Sequence, residues 1–354
     1  MKTLCKLLLI FLILPVFAFA NGSDLGKYSK QKTIKKAYIV NPDAGIDISN
    51  SYGNVYVTTW NEDKIELDIL IKVTGDREEW VQKKLDDIDV DIEALKNLVS
   101  AKTVISNNAG KGSGKNSTIE INYTIKIPKN GSVKINNRYG DVISTDLFAA
   151  TNIKCQYGKV TLGKLNSNNN QIKIEYCSKS TVDYVKTGTI NADYSGLTLN
   201  GFGTLALKAD YTDVNLTEGG NLKYDCSYGK LSLGKISNLE GDGDYLTIRV
   251  DEIQNNLKIN TSYSRLTVGD VSAKAGNISV NSEYTGIDIS YNPAYAFDFD
   301  ISLKYANLKY DNDLEMSSKQ ETSFSKSYKG YYKKSGANKV GISSEYGNVS
   351  LSKN

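Results

Sequence analysis

One tyrosine recurs along this chain at positions 52, 139, 157, 176, 194, 211, 228, 245, 263, 284, 305 and 346, each time inside a variant of the same phrase. "SYGNVYV" (51–57), "RYGDVIS" (138–144), "SYGKLSL" (227–233) and "SSEYGNVSL" (343–351) are four copies. From 139 to 263 the copies are 17 to 19 residues apart, and the spacing then widens to 21. Self-similarity at a fixed period means that the structural unit is the repeat, which buries its apolar face against its neighbours.

The residues around each tyrosine give the shape of the unit. Four places before it stand Ile48, Ile135, Ile153, Ile172, Ile190, Leu207, Tyr224, Gly241, Ile259, Val280, Ile301 and Ile342, ten of twelve aliphatic. Three places after it, eleven of twelve are aliphatic; Lys179 is the exception. The place just before it is always polar. Alternation at period two describes strands with one face in and one face out. The inward parity is even before the tyrosine and odd after it, which requires a corner at the Tyr-Gly or Tyr-Ser step. The glycines that follow (Gly53, Gly140, Gly158, Gly229 and Gly347) are expected to supply the positive φ of a tight bend.

A further apolar residue falls eight places after the tyrosine at Leu165, Phe202, Ile236, Ile253 and Val271, giving each unit a short third side. The predicted fold is all-β: a right-handed parallel β-helix, or β-solenoid, of coils 17–21 residues long. Successive coils would rise about 4.8 Å. The tyrosines would form a ladder along one corner, their hydroxyls needing water or partners. An antiparallel sandwich or barrel also alternates and is the competing architecture.

Two stretches break the period. Within residues 60–128, "IELDILIKV" (65–73) reads as a strand. "DREEWVQKKLDDI" (76–88) puts Trp80 or Val81, Leu85 and Ile88 on one helical face. Two more strands follow, "LVSAKTVIS" and "TIEINYTIKIP", around the loop "NNAGKGSGKNS" (107–117). This helix-bearing segment is expected to cap the stack, giving a unit over 21–128 followed by the coils of 129–354. The polar insertion 311–338 is either a mobile side loop or a cover, and the last repeat, three residues from the terminus, is expected to leave an open edge.

"MKTLCKLLLIFLILPVFAFA" (1–20) has two lysines, an apolar run and a small-x-small ending, the pattern of a signal peptide cleaved after Ala20. Cys5 precedes the apolar run, where no lipid acceptor belongs. No second long apolar stretch exists, so no transmembrane span is expected after cleavage. The protein is expected to be exported, to the periplasm, the cell surface or the medium. Removing Lys2 and Lys6 lowers the formal charge from +3 to +1. A near-neutral chain with no basic block has no footprint for nucleic acid.

Reactive chemistry finds little to use. The chain has no His, which removes His-dependent triads and His metal sites. "GKGSGKNS" lacks the first glycine and the final hydroxyl of a phosphate loop. Glu240, Asp242, Asp244, Asp251 and Glu252 gather once, whereas calcium-binding rolls repeat their motif, so they read as a solvated turn. No pair of carboxylates stands out for glycoside hydrolysis. Catalytic, cofactor and metal residues are therefore assigned as none. Cys155 and Cys226 share a corner slot four coils apart, beyond disulfide reach. A Cys155–Cys177 pair is disfavoured by their different slots, and free buried thiols are expected.

The stretches "SYGNVYVTTWNEDKIELDILIKVTG", "REEWVQKKLDDIDVDI", "INYTIKIPKNGSVKINNRYGDV" and "YKGYYKKSGANKVGISSEYGNVSL" together resemble a bacterial family of exported β-strand-repeat proteins known as "putative adhesins", along essentially the whole mature chain. The resemblance implies a β-solenoid at the cell envelope and carries no assigned functional residue. Two functions follow. The first is a non-catalytic envelope protein, adhesin-like or scaffolding, that meets an extracellular glycan or a matrix or envelope protein through its repeat faces. The alternative is a carbohydrate-active β-helix that binds or cleaves polysaccharide. Converging carboxylates, or basic residues over an aromatic platform, would favour the second; solvated ladders would favour the first.

Overall fold

Strand follows strand through the computed structural model, which describes residues 26–106 and 116–354. The leader with Cys5 and Ala20, and nearly all of the 107–117 loop, lie outside the described residues. The fold is nearly all-β, with one helix among the described residues, Glu78–Asp86. The strands form one open sheet that mixes parallel and antiparallel pairs and does not close into a barrel.

Parallel pairs join the repeats. Val133–Arg138 lies in register with Thr151–Gln156, which lies in register with Asn170–Glu175, and so on up the stack. Ile135, Ile153, Ile172 and Ile190 thus sit one above another, all buried. β-Branched side chains suit this stacking because their restricted χ1 packs like against like. After the corner, Val142 and Val160 stack in the same way. Leu165, Phe202, Ile236, Ile253 and Val271 are buried. Among the described residues, antiparallel pairing occurs only toward the two ends.

The corner is built otherwise than the glycines suggested. Every one of the twelve tyrosines is itself left-handed, with φ between 48 and 64°, and the glycines that follow are not. One left-handed residue turns the chain and shifts the inward parity. The following glycine answers a different need. A Cβ at Gly140 would stand 2.0 Å from the Gly53 carbonyl oxygen, and one at Gly347 2.0 Å from that of Thr285. Glycine serves close approach of coil to coil there. Gly241 has a third reason: its missing side chain leaves room for the buried Tyr224 ring of the coil before, 2.0 Å from where a Cβ would lie.

The coil that lacks an aliphatic at Lys179 accommodates one extra residue. Lys179 is also left-handed (φ 56°), and Ser180 takes the inward slot level with Leu197. Its hydroxyl accepts the Val160 N–H at 3.1 Å, replacing a ladder bond.

At the first end, Tyr28–Ile39 pairs antiparallel with Lys64–Gly75, and that strand with Thr118–Pro128. Thr118–Pro128 then pairs in parallel with Val55–Trp60. The helix buries Val81 and Leu85 and half-buries Trp80; Ile88 is buried but opens the next strand, Ile88–Ala94, rather than ending the helix.

The other end overturns the expected order. The last unit, Asn338–Glu345 and Val349–Lys353, does not lie at the edge. It is inserted between the coil of Tyr284 and the coil of Tyr305, paired in parallel with both. Residues 315–332 form a hairpin, Glu315–Glu321 and Ser325–Tyr332, laid antiparallel on Phe297–Lys304. Tyr328 and Tyr332 are buried there, so the insertion is a cover. Glu240, Asp242 and Asp244 lie outward on the stretch that runs into the Tyr245 corner, and Asp251 lies outward on the stretch after it, with Glu252 half-buried beside it.

Candidate functional site

Left-handed backbone brings the twelve corner tyrosines into one line. The Tyr N–H bonds to the carbonyl just before the tyrosine of the neighbouring coil, as Tyr176 to Asp193 (3.0 Å) and Tyr194 to Asp210 (2.9 Å), while that of Tyr305, at the end, bonds to the Phe324 carbonyl (2.8 Å). The rings stack nearly parallel, with centroids 4.7–5.3 Å apart, from Tyr52 through Tyr284 to Tyr346 and then Tyr305. Phe324, at the tip of the covering hairpin, tilts against Tyr305 at 5.4 Å and ends the row. The tyrosines remain 40–52% exposed. A non-glycine residue at positive φ costs on the order of 1–3 kcal/mol. Each aromatic contact returns about 0.5–1.5 kcal/mol, and most rings have two. Stacking is thus a reason for tyrosine to hold a place where glycine or asparagine would be less strained. The Tyr211 hydroxyl has its pKa raised by desolvation within the stack and by Tyr228 and Tyr194 beside it.

Beside the rings runs the polar column just before each tyrosine. Register places Arg138, Gln156, Glu175, Asp193, Asp210 and Ser227 in consecutive rungs. The Arg138 guanidinium lies 4.7 Å from the Tyr139 centroid and 5.7 Å from that of Tyr157, alongside the step between two rings. Lys173 and the Gln156 amide bond to Glu175 and hold its carboxyl below the usual range. The Asp193 carboxyl is pushed up, chiefly by burial and then by Asp210. Glu175, Asp193, Asp210 and Ser227 with their tyrosines line a groove of about 510 Å³.

Two other grooves flank the stack. Asn221, Asn238, Asn256 and Asn277 bond rung to rung, with Asn238 Nδ2 donating to Asn221 Oδ1 at 2.8 Å and Asn256 Nδ2 to Asn238 Oδ1 at 3.0 Å. That amide ladder borders a groove of about 680 Å³. Near the first end, Trp60 and Phe148 line a cleft of similar size with Asp146, Asp183, Thr161 and Lys129. Lys64 and Lys126 stand 4.8 and 5.0 Å from the Trp60 centroid, and Lys129 4.7 Å from that of Phe148. Asp146 Oδ1 accepts the Lys164 N–H, and Asp183 Oδ1 the Asn200 amide. Trp60 stands in the slot eight places after Tyr52, and Phe148 one place beyond the equivalent slot after Tyr139. The asparagine ladder was legible as a recurring residue but was not singled out.

The acidic run disperses. Glu240 meets Lys223 and Lys258, Asp242 and Asp244 accept from Asn260 and Ser262, and Glu252 pairs with Lys235. Among the described residues, no three Asp, Glu or Cys side chains converge as a metal set would require. Cys155, Cys177 and Cys226 are free and buried. Cys177 nevertheless sits over Cys155, its Sγ 3.3 Å from the Cys155 carbonyl oxygen. The thiol–thiol hydrogen bond pushes Cys155 far above the usual thiol range and pulls Cys177 below it.

The geometry defines a stacked β protein with one continuous aromatic edge. No family model matches the chain, and no curated protein matches it. Among solved structures it is similar to a "putative cell adhesion protein" from Clostridium sporogenes, at 13% identity over 91% of this chain and 100% of that one, with a TM-score of 0.17. It is similar also to a "putative adhesin" from Bacteroides fragilis, at 13% identity over 91% and 97%, TM-score 0.28. A "putative adhesin" from Parabacteroides merdae aligns at 10% identity over 90% and 96%, TM-score 0.35. These names coincide with that of the family the sequence resembles.

Proposed function

We propose that the chain is a parallel β-solenoid of the cell envelope: an exported, non-catalytic, adhesin-like protein that holds its partner against the ladders of its repeat faces. The solenoid reading is supported by in-register parallel pairing of equivalent strands up the stack. The observation that carries the binding role is the row of twelve half-exposed rings, a surface of one chemistry extended over every coil. Exposed aromatic area of that continuity is characteristic of interaction faces. Helices long and apolar enough to cross a membrane are absent among the described residues.

The test is an array of glycans and extracellular-matrix proteins probed with the mature chain, run beside polysaccharide-degradation assays. Retention on discrete array features, lost when Tyr194, Tyr211 and Tyr228 are together replaced by Asn, is the expected result. Polysaccharide cleavage without retention would overturn the reading.

A second reading rests on the Trp60–Phe148 cleft, where basic side chains stand over an aromatic platform beside Asp146 and Asp183. Rings with flanking hydroxyls and carboxylates are the groups by which proteins hold sugars. In that reading the chain binds polysaccharide at its first end, and Trp60→Ala abolishes retention on glycans while the triple Asn variant retains it.

A further inference from the structure

The tyrosine ladder carries cations at both ends and carboxylates between them. Near the first end Arg138 lays its guanidinium beside the Tyr139–Tyr157 step. At the far end Lys304 lies 5.9 Å from the Tyr305 centroid and pairs with Glu345 at 2.8 Å. Between them the same column holds Glu175, Asp193, Asp210, Asp244 and Glu283. Glu175 has Lys173. Among the described residues, the other four have no Lys or Arg in ion-pair contact, whereas about half of the carboxylates elsewhere on the stack, such as Asp225, Glu240 and Glu252, do.

We propose that the face from Tyr176 to Tyr228 binds a linear aliphatic polyamine, of the spermidine kind, with its ammonium groups against successive rungs. This rests on the ladder being a binding face. The chain's own Arg138 shows how a cation sits at this position: beside the rings, at the step between two of them. At Asp193 and Asp210 a carboxylate occupies the slot with no Lys or Arg in ion-pair contact among the described residues, and the groove alongside has about 510 Å³ of room. The edge of a stacked phenol row and a carboxylate are together a favourable site for an ammonium ion, by charge and by its attraction to the π system. Spacing selects the partner class. Rings here repeat every 4.7–5.0 Å, which the propylene link of a polyamine matches when extended and the butylene link when bent. Same-side residues of an extended peptide advance about 6.8 Å, so a strand of lysines or arginines loses register within two rungs.

The experiment is calorimetric titration of the mature chain with spermidine at low salt, with a tetra-arginine peptide as the second arm. Spermidine binding that weakens about tenfold in Asp193→Asn/Asp210→Asn supports the assignment, as does a severalfold loss in Tyr194→Asn/Tyr211→Asn. Asp225→Asn, off the column, should leave the affinity unchanged. Spermidine binding no better than the peptide, or insensitivity to the Asp193/Asp210 variant, overturns it. The array result is independent: retention on the array with no spermidine binding sinks this inference alone, whereas failure of both removes the ladder as a binding face.

Discussion

Coils 139 to 284 and coils 284 to 346 use the same unit and assemble it differently. In the first region each coil pairs with the next in sequence. In the second the chain skips a layer, builds the Tyr305 coil and its covering hairpin, and returns to fill the vacant layer with its last residues. The unit is interchangeable in shape, because any coil offers the same carbonyls, the same aliphatic columns and the same ring to its neighbour. Its place in the stack is set by what closes the end. An antiparallel hairpin cannot continue a parallel stack, so an end finished with one no longer templates another coil. The first end uses the same device, with Tyr28–Ile39 and Lys64–Gly75 laid antiparallel outside the coil of Tyr52.

The largest effect should come from removing the inserted layer. Ending the chain before Asn338 deletes the partner of both Ile278–Glu283 and Phe297–Lys304, and the thermal midpoint should fall by roughly 10 °C or more. Replacing 312–334 with a short linker removes only the cover and should lower it less. Equal losses would mean that the last coil is no more central than the hairpin.

Next come the coil contacts. Gly140→Ala drives a Cβ into the Gly53 carbonyl and should cost about 2–3 kcal/mol in urea unfolding. Gly286→Ala, which meets nothing within 4 Å, should stay within about 0.5 kcal/mol. A smaller effect of opposite sign is expected at Tyr224, whose hydroxyl is buried without a hydrogen-bond partner among the described residues. Tyr224→Phe should stabilise the middle region by about 1 kcal/mol.

The smallest effect concerns pH. Burial and Asp210 raise the Asp193 carboxyl in the fold. The folded state therefore takes up its proton first as pH falls, and the ionised form is a cost above the folded pKa. Asp193→Asn should gain a few tenths of a kcal/mol at neutral pH, the side chain being partly solvated. The gain should vanish below about pH 4, where both states are protonated. A gain that persisted into acid would assign it to packing instead.

The parity shift at each tyrosine was legible because a period-two pattern cannot change phase without a corner. Which residue turns was not legible: glycine is the usual bearer of positive φ, and only the stacking of twelve rings shows why tyrosine takes it. The helix and the strands around it followed from their apolar spacing, as did the buried thiols from their slots. The Trp60–Phe148 cleft did not, since it forms only where repeats 87 residues apart in the chain pair side by side.

By itself the sequence determined the unit: its length, its inward columns, its corner and the residue that marks it, all local or nearest-neighbour properties written once per coil. Tertiary structure decided the order of the last three layers, the closed ends and the charge distribution along the ladder. Identical edges make neighbouring positions nearly equivalent in pairing energy, so the choice among them falls to contacts between segments far apart in the chain.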